Sequence, residues 1–150
     1  MAIPMGFIRT VVCLAALHAP LALAAELGVT KSGELEMHCV ALPTSELTPE
    51  AAKEFNVVRD PQRGLLTVTI VRNQGQGKVQ ALQAQVFAGA INQNNLVSTI
   101  PVREVQKGDA VYYLGEFRVT PPDTLRFLVN ANATHGKPLK AEFSRTFNAP

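Results

Sequence analysis

From residue 33 onward, apolar side chains recur at every second position, and clusters of Pro, Gly, Asn and Asp break the pattern at short intervals. Successive side chains of an extended chain point to opposite faces, so this period builds strands with one apolar side. A helix needs a period of about 3.6, which is nearly absent. The chain is therefore constrained to hide the faces of several short strands against one another.

The spacing predicts a first strand over Glu34 to Leu42. Leu35, Met37, Cys39 and Ala41 share one face, and Glu36, His38 and Val40 the other. Pro43 ends it, having no N–H for a ladder. Thr48 to Asn56 reads as a short helix: Thr48 caps the first turn, Pro49 suits the first helical position, and Asn56 stops it. A β-branched strand follows over Leu65 to Arg72, then one over Lys78 to Ala88 with Leu82, Ala84, Val86 and Ala88 on one side. Leu96 to Val105 contains Pro101, which marks an edge strand or a bulge. Val111, Tyr113, Phe117 and Val119 line the strand Ala110 to Val119. Leu125, Phe127, Val129 and Ala131 line the next, and Leu139, Ala141, Phe143 and Phe147 the last.

Parallel strands need crossovers of about a dozen or more residues, which this chain mostly lacks. The expectation is an all-β fold: an immunoglobulin-like antiparallel β-sandwich of about seven strands, with one short helix near residues 49–55. The Cys, Trp, Cys trio of antibody domains is missing, since the chain has no Trp.

Residues 1–24 read as an export signal. Arg9 supplies the positive charge, Thr10 to Leu23 is an apolar run broken by His18 and Pro20, and Ala22-Leu23-Ala24 is a small-x-small cleavage site. The run is too short and too interrupted to span a membrane. Residues 25–150 then form a single domain, large enough for its own core. Losing Arg9 lowers the net charge from +2 to +1. With its signs mixed along the chain, the domain has no basic stripe for nucleic acid and no cationic helix for lipid. The expectation is no nucleic-acid partner and no membrane insertion after the signal is removed. Cys13 leaves with the signal, so Cys39 is the one remaining thiol and is expected to be buried.

Four phrases together resemble a known family. They are Leu47-Thr48-Pro49-Glu50-Ala51-Ala52, Val58-Arg59 with Arg63-Gly64-Leu65-Leu66, Gly108-Asp109-Ala110-Val111-Tyr112-Tyr113, and Thr124-Leu125-Arg126-Phe127. In this order and spacing the chain resembles the domain of unknown function 4426 family of exported bacterial proteins, over about Gly33 to Phe147. The resemblance implies a periplasmic immunoglobulin-like sandwich from a Gram-negative bacterium. It implies no activity and carries over no functional residue. The chain departs from the family pattern at Cys39, so no family-wide role attaches to that thiol.

Met37-His38-Cys39 is the sharpest chemical constellation. Thioether, imidazole and thiolate suit copper, and the two sulfurs select Cu(I). On a strand Met37 and Cys39 project to one side and His38 to the other, so the three cannot clasp one ion directly. His135, in a turn, could join only through the fold. A Cys39–His38 catalytic pair fails for the same geometric reason. There is no HExxH, CxxC, GxGxxG, P-loop or GxSxG pattern. Arg59, Arg63 and Arg72 flank one hairpin and form a candidate cationic patch, against the simpler reading of a solvated hairpin end. Of the neighbours Tyr112 and Tyr113, one should be core. Tyr112 is then either an exposed aromatic anchor for a partner or a tyrosine packed under a loop.

These readings exclude a recognisable enzyme and imply no cofactor. The function expected from the sequence is a periplasmic non-catalytic binding module, engaging another envelope protein or a small ligand. The alternatives are a Cu(I) carrier using Met37 and Cys39, and an enzyme of unrecognised type.

Overall fold

Strand β2, Leu35–Pro43, alternates buried and half-buried residues along its length, as period-two patterning requires. The computed structural model describes residues 27–149. Within it β1, Leu27–Ser32, precedes β2, and a 3-10 turn at Thr44–Glu46 leads into helix α1, Pro49–Glu54. Then come β3, Arg63–Asn73; β4, Val79–Ala81; β5, Ala84–Ile91; and β6, Val97–Ile100. The chain ends with β7, Val102–Lys107; β8, Ala110–Arg118; β9, Asp123–Ala133; and β10, Leu139–Phe147. The proposed signal, residues 1–24, lies outside the described residues.

The fold is an all-β antiparallel sandwich. One sheet runs β1-β2-β3-β8-β7, with β4 paired to the end of β3; the other runs β10-β9-β5-β6. Among the described residues the strands number ten rather than about seven, for three local reasons. β1 precedes the segment where alternation begins. Leu82 and Gln83 interrupt the predicted strand over residues 78–88, splitting β4 from β5. Pro101 separates β6 from β7, and it does more than mark an edge: β6 belongs to one sheet and β7 to the other. The crossing needs Gly115 on β8, because a Cβ there would stand 2.5 Å from the Ile100 Cγ2.

Helix α1 forms as expected. The Thr48 hydroxyl accepts the Ala51 N–H at 3.1 Å, Pro49 starts the helix, and Asn56 adopts φ 53° just beyond its end. The helix is short because its task is to cover a patch. Leu114 and Leu65 point away from the main core, and with Val57 they form a second apolar cluster under this segment. Phe55 meets Tyr112 there edge to face, with ring centroids 5.8 Å apart. That cover explains why Leu65 and Leu66 are both buried although they face opposite ways.

Between the sheets lie Met37, Leu66, Val68, Ile70, Phe127, Val129 and Leu139, all essentially without solvent contact. Phe127 is their centre. Phe143 stacks on it at 5.2 Å, and Phe117 meets it edge-on at 5.1 Å. Each such side chain contributes about 1.5–3 kcal/mol by leaving water.

Candidate functional site

The sulfur and imidazole candidates are placed apart. Met37 and Cys39 share the inward face of β2 and are both 0% exposed. Burial pushes the Cys39 thiol up to about 12, so it remains protonated at neutral pH. His38 points the other way and lies 2.8 Å from Glu36. His135 stands exposed in the turn between β9 and β10. Among the described residues no three His, Cys, Asp or Glu side chains gather as a metal ion would need. Met37, Cys39 and His135 therefore do not meet in a common site.

Tyr112 is half-buried against Phe55, a tyrosine packed under a loop rather than a free anchor. The three arginines likewise do not form one patch. Arg59 donates to the Ser45 carbonyl, and Arg63 lies near Asp60 and Glu116. Arg63 and Arg72 occupy opposite ends of β3, about 30 Å apart along an extended strand. Arg72 continues the inward row of Leu66, Val68 and Ile70, so it emerges where the core opens at one end of the sandwich.

That end carries the β1–β2, β3–β4 and β9–β10 turns. A cleft of about 460 Å³ opens there between the sheets, lined by Gly33, Glu34, Arg72, His135 and Lys137 among others, with Leu35 at its base. Gly136 holds the β9–β10 turn in place. It adopts φ 148°, and a Cβ at that position would stand 2.4 Å from the Leu35 Cδ1. The turn thus sits directly on the end of the core, with His135 and Lys137 on either side of the contact. None of Arg72, His135 and Lys137 pairs with a carboxylate among the described residues.

Two charged side chains that sequence reading did not single out stand in the core-facing rows of strands at the edges of the sheets, Glu104 exposed at the rim and Arg145 buried. On β7, Glu104 accepts hydrogen bonds from Gln83 at 2.8 Å, Gln106 at 3.0 Å and the Tyr113 hydroxyl at 3.2 Å. The Gln83 bond above all, then Gln106, holds its carboxyl below the usual range. The same Tyr113 oxygen accepts the Ala84 N–H at 2.7 Å, and burial is the main cause that raises its pKa. On β10, Arg145 occupies the inward row of Leu139, Ala141 and Phe147 and is only 8% exposed. It donates to Glu46 at 3.3 Å and lies over the Phe147 ring at 5.8 Å. Its position two residues before Phe147, in phase with the apolar row, was the available sequence signal.

Strand β6 differs from these. It pairs only with β5 and ends its sheet. The Asn92 N–H donates to the Leu96 carbonyl at 3.1 Å, which fixes the hairpin register. By the antiparallel alternation, Ser98 and Ile100 then direct their backbone groups to β5, while Val97 and Thr99 direct theirs outward. The side chains beside this edge are apolar and open to solvent: Val97 is 71% exposed, Leu96 63% and Phe87 61%.

Residues 29–149 match the family model described as domain of unknown function 4426. No curated protein matches the chain. Among solved structures, a crystal structure of a protein of that family from Pseudomonas aeruginosa superposes with a TM-score of 0.67 at 23% identity, covering 83% of this chain and 96% of that one. At that identity the likeness shows the shared fold and leaves the site chemistry to be argued from this chain's own residues.

Proposed function

The chain belongs to the domain of unknown function 4426 family, and from that premise we propose that it is a periplasmic, non-catalytic binding module whose β6 edge takes up an extended segment of another envelope protein. The apolar run Thr10 to Leu23 and the Ala22-Leu23-Ala24 site support export. Two packed antiparallel sheets with a short cover helix support an immunoglobulin-like frame.

The observation that carries the reading is the exposed edge of β6. Its outward N–H and C=O groups at Val97 and Thr99 are the groups that strand addition uses, and each new backbone hydrogen bond contributes about 0.5–1.5 kcal/mol net. Pro101 has no N–H, so pairing stops at Thr99. A second copy of β6 would align only four residues, far short of the roughly 1,000 Å² that a stable interface requires. A donated segment from a partner can instead run past β6 and set alternate apolar side chains beside Val97 and Phe87. The occupant is therefore an extended segment with apolar residues at alternate positions and no proline at its pairing positions.

A photo-crosslinking residue placed at Val97, and separately at Lys53 on α1, tests this in the intact envelope. The expected result is a discrete adduct from position 97 alone. The Thr99→Pro variant removes one outward donor without touching the β5 ladder and should abolish the adduct. Equal labelling from both positions, or an adduct that survives Thr99→Pro, would overturn the assignment.

A further inference from the structure

The cleft at the far end from the β5–β6 turn shares no residue with that edge. We propose that it is a binding site for a phosphate group. Three cationic or titratable side chains reach it from separate parts of the chain: Arg72 from the end of β3, and His135 and Lys137 from the β9–β10 turn. Glu34 is the one carboxylate on its rim. Arg72 and Lys137 outnumber that carboxylate, and an excess of one sign around a concave site with apolar walls focuses the field and concentrates a counter-charged ligand. Leu35 supplies such a wall.

The donors suit a tetrahedral oxyanion better than a planar carboxylate. A single arginine fork satisfies a carboxylate in two parallel bonds, whereas phosphate presents several oxygens and accepts from donors in more than one direction. Here a guanidinium from one sheet and an imidazole and an ammonium from the turn of the other line one cleft. The site is also built in advance. Gly136 seats the turn on Leu35 at φ 148°, a conformation that L side chains rarely adopt. The Arg72 backbone is held in the ladder between Leu35 on one side and Gln80 on the other. The backbone that carries the three donors therefore needs little further ordering when a ligand enters.

The test titrates inorganic phosphate into the full mature chain and follows amide resonances of Gly33 and Gly136. Saturable shifts at both are expected. Arg72→Gln and Lys137→Gln should each weaken binding on the order of ten-fold, while Lys53→Gln on α1 leaves it unchanged. Lys137 is exposed on a turn, so the fold of that variant is not at risk, and Arg72→Gln is checked by its melting temperature. Shifts that never saturate, or affinities equal in all variants, would overturn the proposal. A second arm sediments the protein with phosphatidylglycerol vesicles and with phosphatidylcholine vesicles. Sedimentation with the first alone, lost in Lys137→Gln, supports the site and makes the phosphate lipid-borne. Phosphate binding without sedimentation supports it with a soluble ligand. Loss of the β6 crosslink would leave these outcomes untouched, so the two proposals fail separately.

Discussion

Strands β7 and β10 on one side, and β6 on the other, all stand at the margins of sheets, yet only β6 is left unguarded. An open edge invites another chain to pair, and proteins blunt this with charges that point inward, short strands or covering segments. β7 carries Glu104, exposed at the rim and hydrogen-bonded to Gln83, Gln106 and Tyr113, and α1 holds the strand from outside: Arg103 donates to the Phe55 carbonyl and Lys107 lies 3.5 Å from Glu54. β10 carries the inward Arg145, and β1 packs along it, the Thr30 hydroxyl donating to the Lys140 carbonyl at 2.8 Å. β6 has neither device; its only restraints are its length and Pro101. A foreign strand would have to displace a hydrogen-bonded charge at the first two edges, exposed at β7 and buried at β10, and nothing at the third.

The largest expected effect breaks what all three edges share. Phe127→Ala removes the ring that Phe117, Phe143 and Phe147 pack upon. It should cost about 3–5 kcal/mol in a denaturant titration and loosen guarded and unguarded edges alike. The next effect separates guard from core. Glu46→Ala leaves Arg145 nine-tenths buried without its carboxylate and should cost about 1–3 kcal/mol. Arg145→Leu removes the charge instead of orphaning it. That variant should lose less stability than Glu46→Ala, yet show more self-association in sedimentation velocity. The opposite order of stabilities would mean that Arg145 is not acting as a guard.

Much of the frame is legible in the sequence because period two reports directly on burial. Met37 and Cys39, Val68 and Ile70, and Phe127 and Val129 all sit on the faces that alternation assigns them. The cap of α1 is equally legible, since Thr48 and Pro49 act through bonds only a few residues away. What alternation does not carry is partnership across the chain. Arg145 falls in an apolar row but finds Glu46 ninety-nine positions earlier. Proximity in sequence groups Arg72 with Arg59 and Arg63, but an extended strand carries it to the other end of the molecule, beside His135 and Lys137. The second cluster beneath α1 is hidden for a related reason. Leu114 looks like an outward residue until the segment after β2 folds back to cover it.

Titration sharpens the contrast between a guard that is charged and a core thiol that is not. Glu104 has a folded pKa below its ordinary 4.5, so its contribution is present above that value and is lost as pH falls through the folded one. Cys39 is shifted the other way, from 9.0 up to about 12, so its contribution is complete below pH 9 and is lost as pH climbs toward 12. Glu104→Gln should flatten the acid limb of the stability profile and, because the Glu104 carboxylate helps to raise the Tyr113 hydroxyl, soften the alkaline limb slightly. Cys39→Ala should flatten the alkaline limb once its uniform core cost is subtracted. Melting curves across both limits check each sign.

The smallest effect on stability is the most telling for the comparison. Val97→Lys places a charge on the one of these three edges that lacks any. Val97 is 71% exposed and supports no packing cluster, so the fold should lose no more than about 0.5 kcal/mol. The added ammonium would nonetheless give β6 the protection that β7 and β10 already have, since a strand pairing there would have to desolvate it. Capture of an envelope partner through β6 should therefore fall sharply while the melting temperature hardly moves. Lys53→Gln on α1, an equally conservative change of surface charge, should alter neither. If Val97→Lys captures partner as wild type does, the open edge is a margin the protein merely tolerates, and its shortness alone keeps other strands away.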